Sequence, residues 1–266
     1  MRILWSALAL LFMSCATAPA QPALPPSLRG VGFDQRLDEQ VPLDLAFRDE
    51  AGRSVRLGDY FGERPVILVL AWFRCPMLCT EVLNGLVRAL LDIPLSPGKD
   101  FTILTVSFDP RETPELAAAK KQTYIERLGR PGAEEGWHFL TGDEEPIRRL
   151  TAAVGFRYRY DERNDQYAHA SGILVLTPAG KVSRYFYDIR YSPRDLRLGL
   201  VEASANRIGS AVDQVLLFCF HYDPAEGKYG LAIMNFIRLG GVLTLLAIGT
   251  LVAFLWRQER RKAAVG

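Results

Sequence analysis

Cys75 and Cys79 are the two residues of this chain whose types and spacing point most clearly to chemistry. They follow an uninterrupted apolar run over 66–72, which predicts a buried strand, and Pro76 suits the first position of a helix. Residues i and i+4 share one helical face, so both sulfurs are expected to point the same way. A helix N-terminus favours thiolate, the form that binds soft metals or attacks a disulfide. Metal binding and thiol chemistry are therefore both open.

Histidine is the natural third donor, and the sequence has only three: His138, His169 and His221. His169 precedes an apolar run at 172–176, and a loop entering that strand could bring its imidazole to the two sulfurs. Two thiolates and one imidazole suit Cu(I), and Cu(II) with a further ligand, whereas structural zinc usually takes a fourth protein ligand. From position alone, a packing or hydrogen-bonding role for His169 is also open.

Three further residues near these donors allow more than one interpretation. Asp109 follows a predicted strand over 101–107, at the sheet edge where α/β proteins form their sites; it either supports or docks at the site or forms an Asp-Pro turn. Met77 has a soft sulfur, but helical geometry turns it away from the face shared by the cysteines. His138 stands at the start of a short strand and is expected to be structural.

The first 20 residues predict a secretory signal. Arg2 supplies the positive start, 3–13 is apolar, and Ala18-Pro19-Ala20 forms an A-x-A cleavage site. An alternative is a lipoprotein box with Cys15 as the lipidated residue. Either way, the chain is expected to leave the cytoplasm.

An uncharged stretch of 18 residues over 239–256 predicts a transmembrane helix at the other end. Trp256 suits the membrane interface, and the basic tail over 257–266 indicates a cytoplasmic C-terminus. We therefore expect a single-pass protein of a bacterial-type cytoplasmic membrane, with its main domain on the extracytoplasmic side.

Charge and cysteine usage narrow the function further. The 32 basic and 30 acidic residues nearly balance, at a net charge of +2, which does not suggest a nucleic-acid partner. The four cysteines do not resemble a disulfide framework, because one lies in the signal region, two form the close pair and Cys219 is alone. Cys219 and His221 either form an auxiliary metal site or are a buried thiol and an interfacial histidine.

The order of predicted elements indicates the fold class. Strands alternate with helices, and a hairpin over 172–186 and a last helix from Pro193 follow. This order predicts an α/β fold with a mixed sheet flanked by helices, as in thioredoxin-like proteins. The predicted segments are a signal peptide (1–20), a linker (21–36), the domain (37–208), a juxtamembrane segment (209–238), the transmembrane helix (239–256) and a tail (257–266).

Three separated motifs resemble the Sco/SenC family of copper proteins, over roughly residues 36 to 200. They are Trp72-Phe-Arg-Cys-Pro-Met-Leu-Cys79 after Arg64-Pro65, Val106-Ser-Phe-Asp-Pro-Arg-Glu-Thr-Pro114, and His169 ahead of a strand that ends Thr177-Pro-Ala-Gly-Lys181. The resemblance implies a thioredoxin-like fold with copper held by Cys75, Cys79 and His169. It also implies delivery of copper to the dinuclear centre of cytochrome c oxidase, whose copper-accepting subunit would be the partner. A C-terminal anchor departs from the N-terminal tether frequent in this family.

A second class of function is a thiol-disulfide oxidoreductase that reduces the acceptor's cysteines, with Cys75 and Cys79 as catalytic residues that form a disulfide. The common redox motif has two residues between its cysteines, whereas this chain has three. That difference and the presence of His169 favour metal binding, which needs no turnover chemistry. A peroxidase of the same fold is a weaker third alternative.

Overall fold

The computed structural model describes residues 30–75, 77–208, 222–223, 228–229 and 231–263. The predicted signal sequence with Cys15, the Cys219 and His221 pair, and Pro76 all lie outside the described residues. The predicted domain boundaries therefore stay predictions.

In chain order the described strands are β1 (Gly32–Phe33), β2 (Ala46–Arg48), β3 (Ser54–Arg56), β4 (Val66–Ala71), β5 (Thr102–Ser107), β6 (Trp137–Leu140), β7 (Phe156–Asp161), β8 (Gln166–His169), β9 (Gly172–Leu176), β10 (Val182–Tyr187), β11 (Tyr222–Asp223) and β12 (Lys228–Tyr229). The described helices are α1 (Leu78–Leu91), α2 (Pro114–Leu128), α3 (Ala133–Gly136), α4 (Glu144–Ala153), α5 (Pro193–Ser204) and α6 (Leu231–Ala263), with a 3₁₀ turn over Leu57–Tyr60.

A five-stranded mixed sheet forms the centre of the domain, in the order β10-β9-β4-β5-β6. Strands β4, β5 and β6 are parallel, and β9 pairs with β4 antiparallel. Every residue of β4, β5 and β9 is buried, as expected for strands covered on both faces. This arrangement confirms the predicted mixed α/β sheet flanked by helices. The carboxyl ends of β4 and β5 lie at one edge, which positions the segments that follow them side by side.

Helix α1 begins at Leu78 and not at about Pro76 as predicted, so Cys75 does not share a helical face with Cys79. The N–H of Cys75 donates to the carbonyl of Trp72, and the first helical bond joins Glu81 N–H to the Met77 carbonyl. Cys75 thus lies in the turn before the helix, while Cys79 is its second residue. Met77, with φ −130° and ψ −84°, is outside the helical region and forms the N-cap, so the helix starts after it.

A second sheet, which the sequence analysis missed, contains β1, β7 and β8 in that order of pairing. His169 is the last residue of β8 and pairs with Tyr158 on β7, so its predicted position in a loop was wrong. Alternation of aromatic and charged residues over 156–161, followed by the polar run 161–165, is the period-2 signal that would have predicted this hairpin.

The C-terminal part of the chain contains the short β11–β12 pair and helix α6. Where the structure describes the side chains of this helix between 240 and 254, they are exposed. Among the described residues, no helix has both the length and the apolar character needed to cross a membrane. The predicted span over 239–256, in which the side chains of positions 239 and 255 lie outside the described set, is therefore not confirmed.

Candidate metal centre

The two cysteines and His169 converge at the carboxyl-end edge of the central sheet. The Sγ atom of Cys79 lies 3.1 Å from Nε2 of His169. The ligand atoms of Cys75, Cys79 and His169 all lie within 4.8 Å of one another. Within the part of the chain that the structure describes, no other histidine, cysteine or carboxylate belongs to a group of this kind.

Cys79 is fixed by the end of β4 and the start of α1. Its sulfur accepts a hydrogen bond of 3.1 Å from the backbone N–H of Trp72. The side chain is 3% exposed and belongs to the hydrophobic core. Its position in the first turn of α1 therefore directs the sulfur inward, toward the imidazole.

The turn that bears Cys75 is held by a buried carboxylate, Glu112. Its Oε2 atom accepts the N–H of Phe73 at 2.9 Å, and Oε1 accepts the N–H of Arg74 at 2.8 Å. The hydroxyl of Ser107 donates to Oε2 at 2.6 Å. Glu112 is only 5% exposed, and burial raises the pKa of its carboxyl group. These bonds connect the turn before Cys75 to the end of β5.

His169 has a defined ring orientation. Its Nδ1 atom lies 2.9 Å from the carbonyl oxygen of Ala170, and the ring packs 5.2 Å from that of Phe108. Because a carbonyl oxygen can only accept, the neutral ring has its proton on Nδ1. In the neutral ring the lone pair of Nε2 faces the sulfurs, as in metal sites where a second group fixes the histidine tautomer. When Nε2 is also protonated, it donates toward the sulfurs instead.

The two thiols have opposite acidities. The hydrogen bond from Cys79 and the nearby His169 lower the pKa of Cys75 to about 3, against the effect of burial. Burial and the adjacent Cys75 sulfur raise the pKa of Cys79 well above its ordinary value. Cys75 is therefore the more acidic of the two thiols, and the Cys79 thiol is the donor to its sulfur. Both cysteines are free, and the predicted disulfide between them is not formed in this structure.

Asp109 lies at the predicted sheet edge but does not belong to the donor group. Its side chain is fully buried and accepts a two-point contact from Arg111, at 2.9 Å from Nε and 2.8 Å from Nη2. Burial raises the pKa of Asp109, but these bonds outweigh it and the pKa is lowered. Asp109 thus contacts the surroundings of the site through Arg111 and through the hydroxyl of Tyr167 on β8.

The remaining candidates lie away from the donors or outside the described residues. Met77 is 72% exposed, in agreement with its predicted orientation away from the sulfurs. His138 lies beside Glu50 and packs on the ring of Tyr60, which agrees with a structural role. Cys219 and His221 lie outside the described residues, so the auxiliary site stays a prediction.

Glu112 and Arg111 are the residues that sequence reasoning missed. Both belong to the motif Asp109-Pro-Arg-Glu-Thr113, but their partners are backbone N–H groups and a hairpin distant in sequence. The one usable signal was an acidic residue next to an Asp-Pro turn at a sheet edge. That signal does not specify which buried group the carboxylate binds.

The chemistry of the donor set fits a soft metal ion. Two sulfurs and one imidazole match the ligand preferences of Cu(I), and of Cu(II) with an added ligand. The same arrangement also fits dithiol exchange, because a stable thiolate at Cys75 lies next to a second thiol.

The chain matches the SCO1/SenC family over residues 34–200, more than half of its length. No curated protein matches it.

Several solved structures are similar to the domain. A protein of Aquifex aeolicus VF5, provisionally described as an electron transfer protein, is 26% identical, with a TM-score of 0.57 over 64% of this chain and 95% of that one. BsSco, a member of the Sco family of cytochrome c oxidase assembly proteins, is 20% identical, with a TM-score of 0.51 over 65% and 97%. Arabidopsis thaliana ScoI with copper bound is 20% identical, with a TM-score of 0.49 over 61% and 96%.

Proposed function

The chain belongs to the SCO1/SenC family, and on that premise we propose that it binds copper and delivers it to the dinuclear copper centre of cytochrome c oxidase. The observation that supports this proposal most directly is the convergence of Cys75, Cys79 and His169 within 4.8 Å. In this proposal both sulfurs and Nε2 of His169 bind the copper ion, which is the cargo of the protein.

Copper is favoured over zinc by the number and softness of the donors. The group has three members among the described residues, whereas structural zinc usually takes four protein ligands. Thiolate sulfur stabilises Cu(I), and imidazole is suitable for both copper oxidation states. Metal binding would also remove the Cys79 proton, so uptake should release protons.

Delivery would proceed by exchange of ligands with thiolates of the acceptor subunit. Cys75 lies in the turn before α1 and is slightly more exposed than Cys79, 8% against 3%. We therefore propose that acceptor ligands approach from the side of Cys75, and that the more deeply buried Cys79 is the last sulfur to release the ion.

Tethering would keep the protein close to a membrane-bound oxidase. Helix α6 has exposed apolar side chains, among them Leu245, Leu246 and Phe254, and a basic segment follows them in the sequence. We propose that this helix anchors the extracytoplasmic domain, with its C-terminus in the cytoplasm. Carbonate extraction of membranes tests the anchor: recovery of the full chain in the pellet supports it, and release into the supernatant overturns it.

The lowered pKa of Cys75 supports a second candidate, reduction of a disulfide in the acceptor. The Cys75 thiolate would attack one acceptor sulfur, forming a mixed disulfide and releasing the other acceptor sulfur as a thiolate. The Cys79 thiol would give its proton to the released acceptor thiolate, and its sulfur would then attack Cys75, forming the Cys75–Cys79 disulfide and releasing the second acceptor sulfur as a thiolate. Two electrons pass to the acceptor, and an external dithiol reductant must restore the pair.

A transfer assay separates these two functions. The reduced full-length protein is loaded with copper in detergent, mixed with a metal-free copper-accepting domain of the oxidase, and separated to measure copper in each partner. Copper transfer that is lost in Cys75→Ser and Cys79→Ser supports delivery. Failure to bind copper, together with rapid reduction of the acceptor disulfide, would replace delivery with the oxidoreductase function.

A further inference from the structure

The loop between β5 and α2 contacts both the turn that bears Cys75 and the hairpin that bears His169. Glu112 in this loop accepts the N–H groups of Phe73 and Arg74, next to Cys75. Arg111, its neighbour, contacts the β7–β8 hairpin, which bears His169. One short segment is therefore attached to the cysteine turn on one side and to the histidine hairpin on the other.

Arg111 makes an unusually complete set of contacts for a residue that is 45% exposed at its side chain. Its guanidinium binds both carboxylate oxygens of Asp109, donates to Asp165 at 3.0 Å and to the hydroxyl of Tyr160 at 3.2 Å. It also lies over the rings of Tyr160 and Tyr167, at 4.8 and 5.8 Å. Tyr160 lies on β7 and Tyr167 on β8, so one side chain contacts both strands and the turn between them.

The hairpin needs such a contact because it lies outside the central sheet. Strands β7 and β8 pair with each other and with the two-residue strand β1, in a sheet separate from the one that positions the cysteines. Among the described residues, no strand pairing joins the two sheets. The chain links the hairpin to the central sheet through Ala170 and Ser171, which connect His169 to β9. Side-chain contacts add to this link in setting the separation of Nε2 from the sulfurs.

We propose that Arg111 is a positioning residue that holds the β7–β8 hairpin and so sets the distance between the imidazole of His169 and the two sulfurs. Asp109 anchors the guanidinium, since a buried carboxylate with a two-point contact fixes both the position and the plane of that group. The exposed pair with Asp165 contributes less, because solvent screens it. The expected effect of Arg111 on copper affinity rests on the proposed function. The expected effect of Arg111 on the position of the hairpin does not.

The first test needs no metal. Hydrogen exchange is measured on the apo full-length protein in detergent, for wild type, Arg111→Gln, Arg111→Lys and Arg163→Gln. Arg163 has an exposed side chain in the turn of the same hairpin, so its substitution removes the same charge. Exchange of the β7–β8 amides should rise about tenfold in Arg111→Gln and less in Arg111→Lys, with no change in Arg163→Gln.

The second test is a double-mutant cycle on copper affinity. Arg111→Gln should weaken copper binding by about ten- to a hundredfold, the usual effect of losing a group that orients a ligand. In a His169→Ala background the same substitution should add nothing, because Arg111 acts through the imidazole.

The outcomes separate the two claims. Equal losses of affinity with and without His169, or unchanged hairpin exchange in Arg111→Gln, would overturn the positioning role. If the wild type binds no copper, the proposed function fails, and the exchange data alone then decide whether Arg111 holds the hairpin.

Discussion

The Nε2 atom of His169 lies 3.1 Å from the Sγ atom of Cys79, although the two residues are 90 positions apart in the sequence. The sulfur belongs to the first turn of α1, and the imidazole ends β8 in a separate sheet. Their approach depends on groups that bind no metal, namely the Trp72 N–H on the sulfur and the Ala170 carbonyl on the ring. Copper affinity should therefore change when residues around the donors are substituted, as well as when the donors themselves are.

Glu112→Gln should destabilise the domain by about 1–3 kcal/mol, because an amide has one acceptor oxygen where the carboxylate offers two. One of the N–H groups of Phe73 and Arg74 would then lack its acceptor. Urea unfolding measures the lost free energy of unfolding. Glu162→Gln is the control, because it removes the same charge from the exposed turn between β7 and β8. Equal stability of the two variants would show that Glu112 does not hold the cysteine turn.

Alkylation of the apo protein should depend little on pH at Cys75. Because its pKa is lowered to about 3 by Cys79 and His169, Cys75 stays a thiolate, and its rate should be nearly constant from about pH 5 to 8. Cys79, with a raised pKa and a buried sulfur, should react far more slowly. In Cys79→Ala the Cys75 rate should become pH-dependent. Peptide mass spectrometry after timed quenching reports both sites; a wild-type rate that rises about tenfold per pH unit would contradict the assignment.

Gly85→Ala should destabilise the domain through a backbone clash. A Cβ atom at this position would lie 1.9 Å from the carbonyl oxygen of Ile189, so α1 or the segment before α5 must move. The expected cost is about 1–3 kcal/mol or more by urea unfolding. Gly240→Ala is the control, since nothing lies within 4 Å of its added Cβ and alanine favours a helix. A neutral Gly85→Ala would mean that α1 packs differently.

The free energy of unfolding should decrease at low pH because Glu50 becomes protonated. Burial raises the pKa of this carboxyl, but His138, Lys121 and the Phe139 N–H outweigh burial and lower it to about 2. The folded pKa is below the unfolded value near 4.5, so the stabilisation is complete above that value and disappears as pH falls toward 2. The contribution is at most about 3 kcal/mol.

Urea unfolding of wild type and Glu50→Gln between about pH 6 and 3 measures this effect. The wild type should lose its advantage over the variant as the pH decreases. Parallel curves for the two proteins would exclude Glu50 as the titrating group.

The sequence predicted the buried strands and the donor residues because their signals are local. Continuous apolar runs identify β4 and β9, and a 3.6-residue period identifies α1. The start of α1 could not be predicted, because the N–H groups before it are bound by Glu112, some 38 residues away. The strand that ends at His169 has four residues, none of them fully buried, so no apolar run distinguishes it from a loop. The contact of Arg111 with Tyr160 joins residues 49 positions apart. It depends on tertiary packing, which no local sequence pattern indicates.

X-ray absorption at the copper edge, on the reduced and copper-loaded full-length protein, tests the proposed site most directly. We expect one copper ion per chain, bound by two sulfurs and one imidazole nitrogen, with the nitrogen lost in His169→Ala and sulfur lost in Cys75→Ser and Cys79→Ser. Copper spectra that are the same in wild type and His169→Ala would contradict the account, because the ring that lies beside Cys79 would then not be a ligand.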